Sequence, residues 1–170
     1  NMPKISVCVP VYNVEESIAR CVESIQSQSL TDIEIIIVND CTQDKSMEVV
    51  MKYAKTDNRI KILEHDVNRG LMMARKTGYM ASVGDYITFL DSDDTFPVGA
   101  LEALYSAAIN ENADIVSGTI QYIPNEGQRY LLSNKMQYGT DKISVYKSLL
   151  KNECGHNLCS RIFRRELLQD

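Results

Sequence analysis

The chain has 170 residues, 44% of them hydrophobic, with 18 basic against 23 acidic residues and a net charge of −5. One domain of this size buries roughly 68–70% of the surface its unfolded chain exposes, so a real core is expected. The basic residues are scattered apart from Arg164-Arg165, which argues against a nucleic-acid partner, and no apolar run reaches the ~18 residues of a membrane span.

The sequence shows no basic-then-apolar leader, and Asn1 before Met2 reads as the remnant of an expression tag outside the fold. Five cysteines at irregular spacing do not form a secreted disulfide framework, so a soluble chain in the reducing cytoplasm is expected. Cys154, His156 and Cys159 are the one local cluster with ligand chemistry; lacking a paired C-x-x-C and a fourth ligand, they read as packing or loop residues.

Ile5 to Val9 is a short apolar strand stopped by Pro10, after which Ile18, Cys21, Val22 and Ile25 recur at helical spacing. Ile33 to Val38 is a second strand, broken by Asn39-Asp40-Cys41-Thr42, and Met47, Val50, Met51 and Ala54 restart the helical period. Ile60 to Leu63 reads as a third strand, Leu71 to Ala81 as a third helix and Tyr86 to Leu90 as a fourth strand. Met72, Met73, Tyr79 and Met80 are expected to pack on the core and its flank. Pro97 suits the first position of a helix continued by Leu101, Leu104, Tyr105 and Ala108, with Asp94 or Thr95 as its cap.

Beyond Ala113, Ile115 to Ser117 reads as a short strand, Gln121 to Leu132 as a hairpin around Asn125-Glu126-Gly127, and Lys142 to Leu150 as helical. Lys135 to Tyr146 mixes charge with aromatics where an acceptor might otherwise be sought, and the pattern decides nothing there. Arg164 to Asp170 starts a helix with no stop signal, so the natural protein is expected to continue past Asp170. Continuous apolar strands alternating with helices predict an α/β fold, a mostly parallel sheet with helices on both faces.

Ligands of such sheets bind outside the carboxyl ends of the strands. The polar residues collect there, in Pro10-Val11-Tyr12-Asn13, Asn39 to Thr42, Asp66 to Gly70 and Asp91-Ser92-Asp93-Asp94. Neither G-x-G-x-x-G in the first loop nor a P-loop occurs, which argues against a dehydrogenase or a P-loop enzyme. In an extended segment Asp91 and Asp93 share a face with α-carbons roughly 6.6 Å apart, room for one cation. Hard oxygen ligands with open positions suit Mg²⁺ or Mn²⁺, and the competing reading is a solvated Asp-rich turn. His65 reads as a bystander in an acidic loop, and Arg75 either as an exposed helix charge or as a phosphate contact.

Taken together, Ser6 to Asn13, Val38 to Asp44, Asn68-Arg69-Gly70 and Phe89 to Asp94 resemble, in order and spacing, the family 2 glycosyltransferases of GT-A fold. Phe163 to Leu167 is similar to that family's segment leading into the acceptor-side helix. The resemblance implies a single domain over residues 1–170 that transfers a sugar, with inversion, from a nucleotide-sugar donor, a UDP-sugar, to a saccharide or lipid-linked acceptor hydroxyl. It implies Mg²⁺ or Mn²⁺ on the diphosphate and a cytoplasmic location, with the cytoplasmic membrane face as one setting for the full-length protein.

By position, the resemblance puts Pro10, Val11 and Tyr12 along base and ribose, Asp40 on the base, and Asn68, Arg69 and Gly70 in the loop that steadies ribose and phosphate. Asp93 falls at the metal ligand and Asp91 at its partner, toward ribose or a metal-bound water. The family's general base comes later than Asp170, so none is assigned here. Two other readings stay open: a non-catalytic nucleotide-sugar-binding domain, and a sugar nucleotidyltransferase, which would want a Gly-rich and basic first loop. The second loop reads Asn39-Asp40-Cys41-Thr42 where the family commonly has Asp-Asp-Gly-Ser, so a turn needing positive φ would strain Cys41.

Overall fold

The structure is a computed structural model that describes residues 2–118, 120–122, 130–132, 158 and 160–168. Strand β1 (Ile5–Val11) leads to helix α1 (Ile18–Gln26), β2 (Ile33–Asn39) to α2 (Ser46–Ala54), β3 (Ile60–Glu64) to α3 (Leu71–Met80), and β4 (Tyr86–Phe89) to α4 (Ala100–Asn110). Short strands β5 (Ile115–Ser117), β6 (Ile120–Tyr122), β7 (Tyr130–Leu132) and β8 (Arg161–Arg164) follow, and the 3-10 helix Arg165–Leu168 ends the described chain.

Six strands form one sheet in the order β3-β2-β1-β4-β8-β5. β3, β2, β1 and β4 run parallel, whereas β8 lies antiparallel to β4 and to β5. The chain winds outward from β1 to β3 and then returns to place β4 on β1's other side. This reversal opens a crevice at the carboxyl ends of β1 and β4, where open α/β sheets bind ligands.

The period of two divides each central strand between two cores. Ile5, Val7, Val9 and Val11, with Ile33, Ile35 and Ile37, face Ile18, Val22 and Ile25 of α1, Val50 of α2 and Leu101 of α4. Cys8, Ile36, Val38, Ile87 and Phe89 face the other way, toward Ala74 of α3. Both faces are covered, so the strands have no polar side to alternate with, and the sequence pattern is continuous for that reason.

Helix α3 departs from expectation. Its methionines point outward, Met72 and Met80 being 71% and 69% exposed, and its inner face is made of small residues, Ala74 and Gly78. A Cβ on Gly78 would lie 3.1 Å from Cys8 Cβ, so the helix sits too close to β1 for a larger side chain. Helix α4 begins at Ala100 after Gly99, with no side-chain cap from Asp94 or Thr95, and Pro97 lies in the preceding loop. The expected helix from Arg164 is instead the last residue of β8 and one 3-10 turn, because Ile162 and Phe163 pair into the sheet beside Val116 and Ile87. β6 and β7 pair antiparallel as the hairpin reading expects. Its turn, the Lys142 to Leu150 helix, the Lys135 to Tyr146 stretch and the cluster of Cys154, His156 and Cys159 fall outside the described residues. Among those described, no helix is long and apolar enough to cross a membrane.

Candidate functional site

Asp40 follows β2 directly, and its N–H donates to Val11 O at 2.9 Å, which ties the ends of β2 and β1 together. Its side chain is only 4% exposed. Oδ1 accepts from His65 Nδ1 at 2.7 Å and from the Arg69 N–H at 2.8 Å, and Oδ2 accepts from the Gly70 N–H at 2.8 Å. Burial alone would raise its pKa, but the hydrogen bonds from Arg69, His65 and Gly70 outweigh it and hold the carboxyl below its ordinary range. Asp40 is therefore a fixed anion at the foot of a cleft.

The turn after Asp40 matches the strain expected of it. Cys41 has φ 61°, the left-handed region that favours glycine. Asn39 supplies compensation, its Oδ1 accepting the Thr42 N–H at 2.9 Å. Thr42 and Asp44 then clamp the first loop. The N–H of Asn13 donates to Thr42 Oγ1 at 2.7 Å, and that of Glu15 donates to Asp44 Oδ2 at 2.9 Å. Asp44 Oδ1 also accepts from the Ser46 N–H and hydroxyl and from the Thr42 hydroxyl. Burial works against the charge of Asp44, yet these bonds lower its pKa to about 2.

At the other end of the cleft, Asp91 to Asp94 form a turn rather than an extended segment, closed by Asp94 N–H donating to Asp91 O at 2.9 Å. The shared-face argument for Asp91 and Asp93 thus fails on backbone geometry, but both residues still line the cleft. Arg75, from α3, pairs with Asp91 Oδ1 at 2.6 Å and is mostly buried, so it is neither an exposed charge nor a free phosphate contact. Its Nε is buried without a partner among the described residues. The carboxylate of Asp93 is exposed and has no hydrogen-bond or ion-pair partner among them.

Between these ends lies a cleft of about 400 Å³. Pro10, Val11 and Tyr12 line it after β1, Asn68 and Gly70 line it after β3, and Asp40, Asp91 and Asp93 supply its carboxylates. Val14, Leu71, Ala74 and Ser92 complete the lining; of these only Ser92 falls within a motif, and that motif gives it no role. Arg69 is not part of that lining: its side chain is exposed, and its contact is the backbone N–H on Asp40. His65 is no bystander. It is 8% exposed beneath Asp40, with Nε2 2.8 Å from Thr77 Oγ1, and a separation of 25 residues hid the contact from any local pattern.

The sequence profile of the family described as glycosyl transferase family 2 matches residues 6–170. The chain belongs to glycosyl transferase family 2. It is 45% identical over 115 residues to the uncharacterized glycosyltransferase EpsJ of Bacillus subtilis, an alignment covering 68% of this chain and 33% of EpsJ. In three dimensions it resembles S. aureus TarS 1–349, solved in complex with UDP-GlcNAc, with TM-score 0.80 and 24% identity over 98% of this chain and 47% of that one. It also resembles the mannosyltransferase PcManGT of Pyrobaculum calidifontis, solved with GDP-Man and Mn²⁺, with TM-score 0.70 and 19% identity over 99% of this chain and 46% of that one. The chain thus spans a third of EpsJ and just under half of the two solved chains. The fold is GT-A, as the six-stranded, mostly parallel sheet indicates.

A divalent cation, which this glycosyltransferase family implies, can be tested against the residues present. Among those described, no group of three or more His, Cys, Asp or Glu side chains is placed to hold a metal unaided. What the cleft offers is a pair of hard carboxylates, Asp93 unpartnered and Asp91 with Arg75 on one oxygen. That set fits an ion that takes one or two carboxylates and completes its shell with phosphate oxygens and water, the habit of Mg²⁺.

Proposed function

We propose that the cleft is the donor site of a glycosyltransferase that takes a sugar from a nucleotide sugar, a UDP-sugar, and transfers it with inversion to a saccharide or lipid-linked hydroxyl. The observation that carries the reading is the convergence of four strand-end loops on one cleft, with a locked carboxylate at one end and two more at the other, Asp91 held by Arg75 and Asp93 without a partner among the described residues. Their positions after β2 and β4, on either side of β1, suit an extended ligand with a base at one end and phosphates at the other. Pro10, Val11 and Tyr12 form an apolar wall for base and ribose, Tyr12 being 44% exposed and so available to a ring. Asp40 receives the base, Asn68 and Gly70 border the ribose, and Arg69 reaches the ribose-phosphate from outside the rim.

Asp93 and Asp91 would hold Mg²⁺ or Mn²⁺ against the diphosphate. When bound, such an ion stabilises the negative charge that gathers on the departing nucleoside diphosphate. Arg75 keeps Asp91 oriented and offsets part of the pair's repulsion. None of the described residues is assigned as the base that deprotonates the acceptor, and the site they form is read as a donor site. A cytoplasmic setting, at the membrane face where lipid-linked acceptors reside, accords with the chemistry. The complexes of TarS with UDP-GlcNAc and of PcManGT with GDP-Man and Mn²⁺ support the ligand class.

Thermal unfolding of the chain with UDP, GDP, CDP and TDP, each with and without Mn²⁺, tests the proposal. UDP with Mn²⁺ is expected to stabilise by about 2.7 kcal/mol at a hundredfold excess over Kd. Asp93→Ala should abolish that stabilisation while leaving the unliganded melting point near the parent's, since the side chain has no internal partner. A UDP effect indifferent to metal and to Asp93→Ala would sink the assignment of the metal end.

A further inference from the structure

The buried chain Thr77–His65–Asp40 lies outside the cleft except for one carboxylate edge, and nothing in the donor reading uses it. We infer that His65 is a positioning residue which fixes Asp40 as a single-acceptor reader of the base and so determines that the site takes bases bearing a ring N–H. The inference rests on the donor reading above and names the specificity of the same site.

An ionised carboxylate offers about four acceptor positions and no donor. Three are taken, two on Oδ1 by His65 and the Arg69 N–H and one on Oδ2 by the Gly70 N–H. One position on Oδ2 remains, and Asp40 lines the cleft. Because the carboxylate only accepts, Nδ1 of His65 carries the proton that bonds it. The far side of the ring is held 2.8 Å from Thr77 Oγ1 on α3, so the imidazole cannot swing away without breaking a second contact. Asp40 and His65 each have 4% exposed side chains, which keeps water from substituting for the partner.

A single anionic acceptor in this place selects by chemistry. Uracil, thymine and guanine present a ring N–H to such a group. Cytosine and adenine present a bare ring nitrogen at that position, whose lone pair would face the carboxylate, and their neighbouring amino groups can donate to it only if the base shifts in the cleft, which a carboxylate held at one angle disfavours. His65 contributes by holding the rotamer. Without its N–H, Oδ1 keeps only the Arg69 amide, the carboxylate gains freedom to turn, and the acceptor position is no longer presented at one angle. His65 lines no part of the cleft, so its effect on nucleotide choice must pass through Asp40.

The test is the ratio of UDP to CDP affinity, measured calorimetrically with Mn²⁺ on the parent chain and on His65→Gln, His65→Asn and Thr77→Val, each with its own melting curve. The parent is expected to favour UDP by about tenfold or more. Asn can return an amide N–H near the Nδ1 position and Gln only near Nε2, so His65→Gln should cut the ratio at least fivefold, by the order of one lost charge-assisted hydrogen bond, and His65→Asn should restore most of it. Thr77→Val should lower it by a smaller factor in the same direction. A purely structural His65 would change the melting point and leave the ratio alone; an unchanged ratio in folded His65→Gln overturns the inference, and where that variant does not fold, an unchanged ratio in Thr77→Val does so. Parent chain that binds UDP and CDP alike with metal overturns it while leaving the donor reading intact. Parent chain that binds no nucleoside diphosphate removes both.

Discussion

Cys41 sits at φ 61°, and the cost of that geometry belongs to one residue. A non-glycine residue in the left-handed region loses roughly 1–2 kcal/mol to the contact between Cβ and the following carbonyl oxygen. Glycine escapes the clash but pays about 0.5–1 kcal/mol in unfolded-state entropy. The difference predicts that Cys41→Gly is more stable than the parent by about 0.5 kcal/mol. Cys41→Val should fall below the parent by more than ~1 kcal/mol, because a β-branched residue tolerates positive φ least. Denaturant midpoints of the two variants check this, and a Val variant as stable as the Gly variant would show that the turn relaxes. The compensating bond from Asn39 Oδ1 to the Thr42 N–H explains how the chain carries Cys here, since it fixes the turn from its other side.

At the scale of elements, two loops are held as one piece. Asp44 joins them, accepting from Ser46 at the start of α2, from Thr42 in its own loop and from Glu15 in the loop after β1. Asp44→Ala would strand several donors at once, and hydrogen bonds to a charged group contribute about 1.5–3 kcal/mol. A loss of about 2 kcal/mol is expected, seen as a drop of roughly 4–8 °C in melting temperature for a chain of this length. UDP binding should weaken with it, since Tyr12 rides on the clamped loop. The first four strands and helices were legible because each repeats one pattern, a continuous apolar run and then a 3.6-residue period. β8 was not, because four residues carry no period and its place between β4 and β5 is set by distant partners, Phe163 pairing with Ile87 and Ile115, 76 and 48 positions away in the chain. The site divides in the same way. Asp40, Asp91 and Asp93 stand at strand ends and announce themselves, whereas His65 and Arg75 matter only through contacts made after folding.

Across the whole molecule, the carboxylates that organise the fold share one electrostatic sign. Burial pushes Glu34 up, but Lys61, the Ser6 hydroxyl and the Val83 N–H bring it below its ordinary range. Asp40 and Asp44 are likewise lowered by hydrogen bonds against their burial, Asp44 to about 2, and the Arg59 guanidinium lowers Asp57. A group whose folded pKa lies below its unfolded one adds stability above the unfolded value, about 4 for these side chains, and forfeits it as pH falls toward the folded value. The Cys8 thiol acts in the opposite sense. Burial first, then the charge of Glu34, raises its pKa, so its contribution is whole below the free thiol's value of about 8.5 and declines as pH climbs above it. Stability should therefore be level between about pH 5 and 8 and fall on both sides, steeply below 4 because four carboxylates act together. Denaturant midpoints from pH 2.5 to 10 check the profile; because burial raises the Cys21 thiol as well, Cys8→Ala should make the limb between pH 8.5 and 10 shallower, and Cys8→Ala with Cys21→Ala should flatten it, neither moving the acid limb. If the acid limb survived Asp44→Asn and Glu34→Gln together with unchanged steepness, the hydrogen-bonded carboxylates would not be its source, and the strand-end network would have to be held by packing instead.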